Sequence, residues 1–266
     1  MHQSFVTRFA PSPTGLLHLG HAYAALMAGQ LGDRFLLRFE DIDRTRVRPE
    51  FYTAIEEDLA WLGLQWEEVP VRQLDRLPLY QEALEVLEEK GLVYPCFCTR
   101  RDLQSIDAPQ GPEGPLYPGT CRGLAAVDLS QPHCWRLNAT KAAELAGSLT
   151  FEDEIHGRIA VQPELLGDVI LARKDIETSY HIAVVVDDAA QGISLVTRGE
   201  DLLPSTHIHR LLHQILGLPV PLYHHHRLIR DEAGRRLAKR DSARSLKSLR
   251  DSGESAASLR ERLGFP

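Results

Sequence analysis

The sequence predicts an α/β fold in which strands of a parallel sheet alternate with helices and are interrupted by one insertion. Over the first hundred residues, short apolar runs alternate with helical patterns, as in successive βα units. Proline, glycine and acidic residues break this pattern between residues 95 and 167, and strand signals return from residue 168. With 266 residues, of which 43% are hydrophobic and 25% charged, the chain can form one large or two modest packed domains.

The first βαβ unit is predicted from three neighbouring segments. Residues 4–10 and 34–42 are short apolar runs and predict strands. Between them, residues 18–31 are rich in alanine and leucine and are followed by Gly32, a residue typical of helix C-termini. Because a helix between two strands is the usual parallel crossover, this segment predicts the start of a parallel sheet.

The remaining elements follow from turn residues and apolar periodicity. One helix is predicted from Pro49, a favourable first-turn residue, to Gly63, and another over residues 78–90. A helix ending at Gly217 and small helices within residues 241–262 are predicted near the C-terminus. After the insertion, the sheet is predicted to resume with strands at residues 168–173, 181–186 and 194–197.

The charge of the chain is unevenly distributed. The formal net charge is -7, yet residues 227–262 contain eleven Lys and Arg against six Asp and Glu. This basic end predicts local binding of nucleotide phosphates or an RNA backbone, whereas the acidic remainder excludes a uniformly basic nucleic-acid binder. No apolar run reaches the roughly 18 residues that span a bilayer, and the first residues do not resemble a signal peptide. We therefore expect a cytoplasmic protein without a membrane partner.

Residues 8–21 carry the strongest functional signal. A predicted strand continues through a proline- and glycine-rich turn, which includes Pro11, into a helix that begins with His18, Gly20 and His21. Both imidazoles then share the first helical turn with free backbone N–H groups and the positive end of the dipole, which predicts an anion site. Gly20 allows a nucleotide to approach the backbone closely. The alternative is a surface turn with two unrelated histidines, and the long matching context favours the anion site.

The same segment resembles the signature region of the class I aminoacyl-tRNA synthetases. The HIGH motif of that family stands here as HLGH at residues 18–21, and the preceding RFAPSPTG resembles the glutamyl branch. The second family motif, KMSKS, has a diverged counterpart at residues 236–240, in which Lys239 matches. A solvated charge run is the alternative for residues 235–240, and its pairing with HLGH favours the functional interpretation.

The resemblance implies the chemistry of amino-acid activation. An ionised glutamate carboxylate attacks the α-phosphate of ATP, which arrives with Mg²⁺, so catalysis needs positioning and charge stabilisation rather than a general base. The implied catalytic residues are His18, His21 and Lys239, which bind ATP together with Pro11 and Gly20. A glutamate pocket needs an acid for the ammonium group and arginine for the carboxylate. The residues implied for it are Arg8, Ser12, Glu40, Tyr180 and Arg198.

Three of the four cysteines predict a metal site in the insertion. Four cysteines are too few for a disulfide scaffold, and Cys96, Cys98 and Cys121 lie close together in a proline- and glycine-rich segment, which suits a structural Zn²⁺ and a reducing compartment. Buried reduced cysteines are the alternative. The chemistry of the residues leaves three candidates for the fourth ligand, Tyr117, His133 and Cys134. The resemblance to short glutamyl-synthetase paralogues, which use a CxC, Tyr, Cys arrangement, implies Tyr117.

The length of the chain after Lys239 bears on the acceptor. Only 27 residues follow it, whereas full glutamyl-tRNA synthetases carry a large anticodon-binding region there. The expected relatives are therefore truncated paralogues, which activate glutamate with ATP and transfer it to the queuosine base in the anticodon loop of tRNA(Asp). A glutamyl-tRNA synthetase fragment charging a 3′ end, a non-catalytic RNA-binding paralogue and a small nucleotidylyltransferase are the alternatives. A monomer is expected.

The resemblance also implies a division of the chain into four parts. The two halves of a Rossmann-like nucleotide-binding domain are expected at residues 1–94 and 168–226. A zinc-bearing insertion separates them at residues 95–167. The KMSKS-like loop and a short helical segment, without an anticodon-binding domain, are expected at residues 227–266.

Overall fold

The computed structural model describes residues 4–104, 107–229 and 245–265. In chain order the strands are β1 (Val6–Phe9), β2 (Arg34–Phe39), β3 (Glu67–Arg72), β4 (Val93–Cys96), β5 (Gln110–Gly111), β6 (Gly114–Pro115), β7 (Cys134–Leu137), β8 (Thr150–Asp153), β9 (Gly157–Ala160), β10 (Ile170–Ala172), β11 (Leu195–Gly199) and β12 (Leu222–His226). The helices are α1 (Leu19–Leu31), α2 (Pro49–Trp61), α3 (Leu77–Glu89), α4 (Arg100–Gln104), α5 (Ala139–Ala146), α6 (Tyr180–Ala190), α7 (Leu203–Leu216), α8 (Leu246–Asp251) and α9 (Ala256–Leu263). Within these residues, every helix is too short or too polar to cross a membrane.

The chain divides into two compact units. Unit 1 comprises Met1–Asp75, Ile193–Asp201 and Pro221–Pro266, and unit 2 comprises Arg76–Gly192 and Leu202–Val220. Unit 2 therefore contains all of residues 95–167 together with the helices that flank this segment. The four-part division drawn from the sequence stays a prediction.

Unit 1 is built on a parallel sheet. β1 pairs with β2, β2 with β3, and β11 with β12, each in parallel. β11 lies beside β1, where the Ser194 amide donates to the Val6 carbonyl at 3.0 Å. Across the sheet the strands therefore lie in the order β3-β2-β1-β11-β12. Chain order runs outwards from β1 on one side and from β11 on the other, so the strand order reverses between these two strands. This order confirms the predicted Rossmann-like α/β fold.

The core of unit 1 includes the C-terminal helices. α1 and α2, which were both predicted from the sequence, bury apolar side chains against the sheet. The small helices predicted within residues 241–262 are confirmed as α8 and α9, and each places two leucines in this core. The buried tail residues are Leu246, Leu249, Leu259, Leu263 and Phe265. The end of the described chain is thus part of the packed unit.

Unit 2 combines small antiparallel sheets with helices. β7 lies between β4 and β10 and is antiparallel to both, so the strand predicted at residues 168–173 is present but does not extend a parallel sheet. Two helices are tied together by a buried acid, because the Asp187 carboxylate accepts from Arg76 Nε at 2.6 Å and from Tyr80 Oη at 2.8 Å. Gly217, predicted to end a helix, follows α7 in the left-handed conformation with φ 67°.

The strand predicted at residues 181–186 is wrong, because this segment forms the first half of α6. Its run of three valines is typical of a strand, and a continuous apolar run does not distinguish a buried helix from a buried strand. Two of the three valines are buried, together with Ile182, Ala183, Asp187 and Asp188. Burial and the bond from Tyr80 to Asp187 on α6 outweigh the weak helix preference of valine.

Candidate active site and metal centre

The residues predicted to bind glutamate and ATP gather mostly at one edge of the unit 1 sheet. β1, β2 and β11 end at Phe9, Phe39 and Gly199, so their carboxyl ends share that edge. It includes the position between β1 and β11 where the strand order reverses. Ligands of open α/β sheets bind in the crevice at such a reversal.

Two buried arginines lie on the adjacent strands at this edge. Arg8 is 4% exposed, and its Nη1 donates to the Thr197 carbonyl on β11 at 3.1 Å. Arg198 is 6% exposed, and its Nε donates to His225 Nε2 on β12 at 3.1 Å. The guanidinium carbon of Arg198 also lies 5.6 Å from the ring centroid of Tyr223. Each arginine is therefore held by the neighbouring strand, in positions suited to binding substrate carboxylates.

An acid and the proline-rich turn lie at the end of β2. The Glu40 amide donates to the Pro11 carbonyl at 3.0 Å, which fixes the turn that also carries exposed Ser12. The Glu40 carboxylate accepts from Arg38 Nη2 at 3.4 Å and keeps 16% of its surface exposed. A partly exposed carboxylate at this edge suits the ammonium group of an amino acid.

Asp41 supports this segment and was not found by the sequence analysis. Its carboxylate is fully buried and accepts from Tyr52 Oη at 2.6 Å and from the Leu74 amide at 2.9 Å. Burial raises the pKa of Asp41, while the hydrogen bond from Tyr52 opposes this shift. The sequence feature that could have indicated Asp41 is the run of acidic residues after β2. In an extended chain, the residue next to Glu40 points to the opposite face.

The two histidines of HLGH form one compact turn at the start of α1. His18 caps the helix in an extended conformation, and its amide donates to His21 Nδ1 at 3.2 Å. The ring centroids lie 3.9 Å apart. Because His21 Nδ1 accepts a hydrogen bond, the neutral ring carries its hydrogen on Nε2 and can donate it to a phosphate oxygen. A Cβ atom at Gly20 would lie 3.4 Å from His18 Cε1, at ordinary van der Waals contact with this ring.

Two predicted site residues, Tyr180 and Lys239, are not among the described residues of unit 1. Tyr180 is the first residue of α6 in unit 2, where its ring centroid lies 5.4 Å from that of His209. His181 Nδ1 in turn lies 3.2 Å from His209 Nε2. The predicted glutamate contact of Tyr180 stays a prediction. Lys239, with the rest of residues 236–240, lies outside the described residues.

The predicted metal ligands converge in unit 2. The sulfur atoms of Cys96, Cys98 and Cys121 all lie within 4.8 Å of one another, and those of Cys98 and Cys121 are 3.6 Å apart. Zinc–sulfur bonds of 2.3 Å in a tetrahedral site place sulfur atoms roughly 3.8 Å apart. The three thiols therefore fit a zinc ion.

The position of Tyr117 favours it as the fourth ligand. Its Oη lies 3.3 Å from the Cys96 sulfur and 3.5 Å from the Cys98 sulfur. The other two candidates have other contacts: His133 Nδ1 lies 2.9 Å from the Gln131 carbonyl, and the Cys134 thiol donates to the Cys96 carbonyl at 3.5 Å. The phenol is thus the candidate whose donor atom lies among the thiols.

Asp168 supports the metal centre from outside it. Its carboxylate is 1% exposed and accepts from Arg122 Nη2 at 2.6 Å, while its carbonyl accepts from Arg136 Nη1 at 2.7 Å. The Arg136 guanidinium carbon lies 3.8 Å from the ring centroid of Tyr117. Groups that orient ligands in this way tune metal affinity. The residues that contact Asp168 are distant from it in sequence, so no local sequence pattern predicted its role.

The Tyr117→Phe variant keeps the ring under Arg136 and removes only the oxygen. It should bind zinc at least about 10- to 100-fold less tightly, since losing a group that merely orients a ligand already costs that much. Competition with a chromophoric chelator measures the affinity. His133→Ala and Cys134→Ser are the matched controls and should retain zinc nearly as well as the parent. If Cys134→Ser releases the metal and Tyr117→Phe does not, the choice of fourth ligand is wrong.

Comparison with known families shows which family the chain belongs to. The family model described as tRNA synthetases class I (E and Q), catalytic domain, matches residues 4–264. The chain belongs to this family. The assignment confirms the family expected from residues 8–21, and with it an ATP-dependent ligase of the class I type.

Relatives of this class I synthetase chain fall into two lengths. The Glutamyl-Q tRNA(Asp) synthetase of Rhodobacter capsulatus is 51% identical over 98% of the chain and 100% of its own length. The Glutamate–tRNA ligase of Geobacter sulfurreducens is 40% identical over 97% of the chain, which covers 56% of that protein.

Solved structures give the same fold for this class I synthetase chain. A glutamate tRNA ligase from Elizabethkingia meningosepticum, in complex with its amino acid, superposes with a TM-score of 0.71 at 30% identity. The match covers 90% of the chain, which spans about half the length of that ligase, 52%.

Proposed function

We propose that the chain activates glutamate with ATP and transfers it to the queuosine base in the anticodon loop of tRNA(Asp). The observation that carries the activation step is the juxtaposition of Arg8, Arg198 and Glu40 at the edge of the sheet where α1 begins with His18 and His21. Charge of both signs at this edge matches an amino acid that carries two carboxylates and one ammonium group.

The first step needs no general base. One oxygen of the glutamate α-carboxylate, already ionised, attacks the α-phosphorus of ATP, and the bond from that phosphorus to the leaving pyrophosphate breaks. In this proposal Arg8 and Arg198 hold the carboxylates, Glu40 pairs with the ammonium group, and His21 Nε2–H donates to a phosphate oxygen. Mg²⁺ that arrives with ATP neutralises charge on the phosphates. Lys239 is proposed to stabilise the charge that develops on the leaving group.

The second step transfers the acyl group. A hydroxyl oxygen of the acceptor attacks the acyl carbon of glutamyl-adenylate, AMP leaves, and the hydroxyl proton passes to solvent or to the departing phosphate. The zinc proposed at Cys96, Cys98, Tyr117 and Cys121 supplies structural rigidity to unit 2.

The acceptor is the part of the proposal that rests on relatives. The Rhodobacter protein named Glutamyl-Q tRNA(Asp) synthetase is covered over 100% of its length, which favours the queuosine base. The Geobacter protein named Glutamate–tRNA ligase is covered over 56%, and this match keeps the charging of a tRNA 3′ end as the second candidate.

ATP–pyrophosphate exchange with a panel of amino acids tests the activation step. Glutamate should support exchange without tRNA, and aspartate and glutamine should do so about 10²-fold less efficiently in kcat/KM, because each leaves a buried arginine without its carboxylate in place. A reaction without amino acid is the control. Exchange that favours another amino acid, or that is absent with all of them, contradicts the proposal.

A further inference from the structure

A buried acid in unit 1 lies away from the site described above. Asp58 on α2 is fully buried, and no donor among the described residues forms a hydrogen bond with either carboxylate oxygen. On another element, Arg250 of α8 places its Nη1 3.7 Å from Asp58 Oδ1. An acid buried in this way costs folding free energy unless it is well paired, so stability alone does not account for it.

The partner of this acid lies on a helix that contacts the active-site turn. The Leu246 amide, at the first residue of α8, donates to the Leu17 carbonyl at 2.8 Å. Both leucines are almost fully buried, at 0% and 1% exposure. Leu17 directly precedes His18, whose amide orients His21. One main-chain hydrogen bond, from the Leu246 amide to the Leu17 carbonyl, therefore connects α8 to the residue that precedes His18.

Arg250 contacts two acids of α2 at once. Its Nη2 lies 2.9 Å from the exposed carboxylate of Glu57, and its side chain is 23% exposed. An ion pair between exposed side chains contributes little to stability. A fully buried charge is costly without a partner, so a pair that includes one constrains where the partner lies. Arg250 therefore joins α8 to α2 through a hydrogen bond to exposed Glu57 and through the buried charge of Asp58.

We propose that Asp58 and Arg250 are positioning residues, which hold α8 where the Leu246 amide fixes the main chain before His18 and thereby place His18 and His21 for ATP. The proposal rests on the proposed function, because it assigns the HLGH turn to phosphate binding. Neither residue touches substrate, so they act through Leu246 and Leu17.

The ion pair depends on pH in a defined direction. Burial is the largest influence and raises the pKa of Asp58 to about 6; Arg250 and Lys247 lower it, and Glu57 and Asp251 raise it. A raised acid pKa means that the contribution of Asp58 to stability is greatest below about pH 4 and is lost as pH rises through about 6. The attraction for Arg250 has the opposite dependence, since it requires the ionised acid. Positioning is therefore present above about pH 7 and lost below about pH 5.

The test compares Asp58→Asn and Arg250→Met with Lys247→Met, which removes the neighbouring exposed pair of α8 with Asp251. At about pH 7.5 the first two should lower kcat of glutamate-dependent exchange about tenfold, with KM for glutamate changed less than about twofold. The ratio of wild-type to Asp58→Asn activity should fall towards one at about pH 5. The melting temperature of Asp58→Asn at about pH 7.5 should not fall, and Lys247→Met should match wild type.

Amide hydrogen exchange of α8 gives a readout that needs no activity. Asp58→Asn and Arg250→Met should lose protection at Leu246, and Arg250→Lys should restore part of it. Unchanged protection and kcat in Asp58→Asn overturn the proposal, as does an equal loss in Lys247→Met or a ratio that does not change with pH. If wild type shows no exchange with any amino acid, the proposed function fails, and Leu246 protection alone decides whether the pair holds α8.

Discussion

Replacing Lys239 by alanine should lower glutamate-dependent ATP–pyrophosphate exchange by about 10² or more, equivalent to roughly 3 kcal/mol of transition-state stabilisation. The reason is the distribution of charge in the reaction. Negative charge moves onto the departing pyrophosphate as its bond to the α-phosphorus breaks, and a lysine acting there stabilises the transition state more than the bound substrates. The loss should therefore appear in kcat, while KM for glutamate changes much less.

Arg235→Ala is the matched control for this lysine. It removes one positive charge from the same segment at a position without a counterpart in the KMSKS motif. Its loss of activity should be much smaller than that of Lys239→Ala. Near-normal exchange by Lys239→Ala would rule out the catalytic role, and equal losses in the two variants would reduce that role to general attraction of phosphate.

The Cys98→Ser variant should lose its zinc. Metal analysis of the wild type is expected to give about one zinc per chain, because the three neighbouring thiols and Tyr117 are proposed as the four ligands of one ion. Removing one of four ligands weakens binding, and the free energy that metal binding contributes to the local fold is lost with it. Amide hydrogen exchange should show reduced protection in unit 2 near β4 and β7, with unit 1 unchanged.

Cys134→Ser provides the comparison for this loss. It removes a buried thiol next to Cys96 without removing a proposed ligand. A wild-type protein without zinc, or a Cys98→Ser protein that retains it, would leave the cluster as a set of buried reduced cysteines.

Local patterns predicted much of unit 1 correctly. The helix over residues 18–31 and the strands on either side of it were found because their signals lie within a few residues of one another. The predicted helix from Pro49 likewise appears as α2. The strand at residues 181–186 failed for the opposite reason, since the contacts that make it helical come from residues such as Tyr80, about a hundred positions earlier.

The residues of the candidate site were likewise predicted only in part from the sequence. Arg8, His18 and Arg198 were predicted as site residues from sequence, whereas the groups that contact them in the structure were not predicted. His225 accepts from Arg198 because β11 and β12 pair in a register that brings these residues together. Asp58 has no local signal, because only the packing of α8 against α2 shows its partner. Long-range register and buried charge are properties of the folded chain.

The transfer of glutamate to the queuosine base is tested most directly by locating the label after the reaction. Glutamate carrying a radiolabel is incubated with ATP, the protein and tRNA(Asp) from a queuosine-competent source, and the RNA is then cut by nuclease. A queuosine base offers a cis-diol like that of a terminal ribose, so the label should be on the anticodon-loop fragment. It should be absent with tRNA(Asp) from a queuosine-deficient source, and tRNA(Glu) should be a poor acceptor. Label on the 3′-terminal adenosine of tRNA(Glu) would contradict the account.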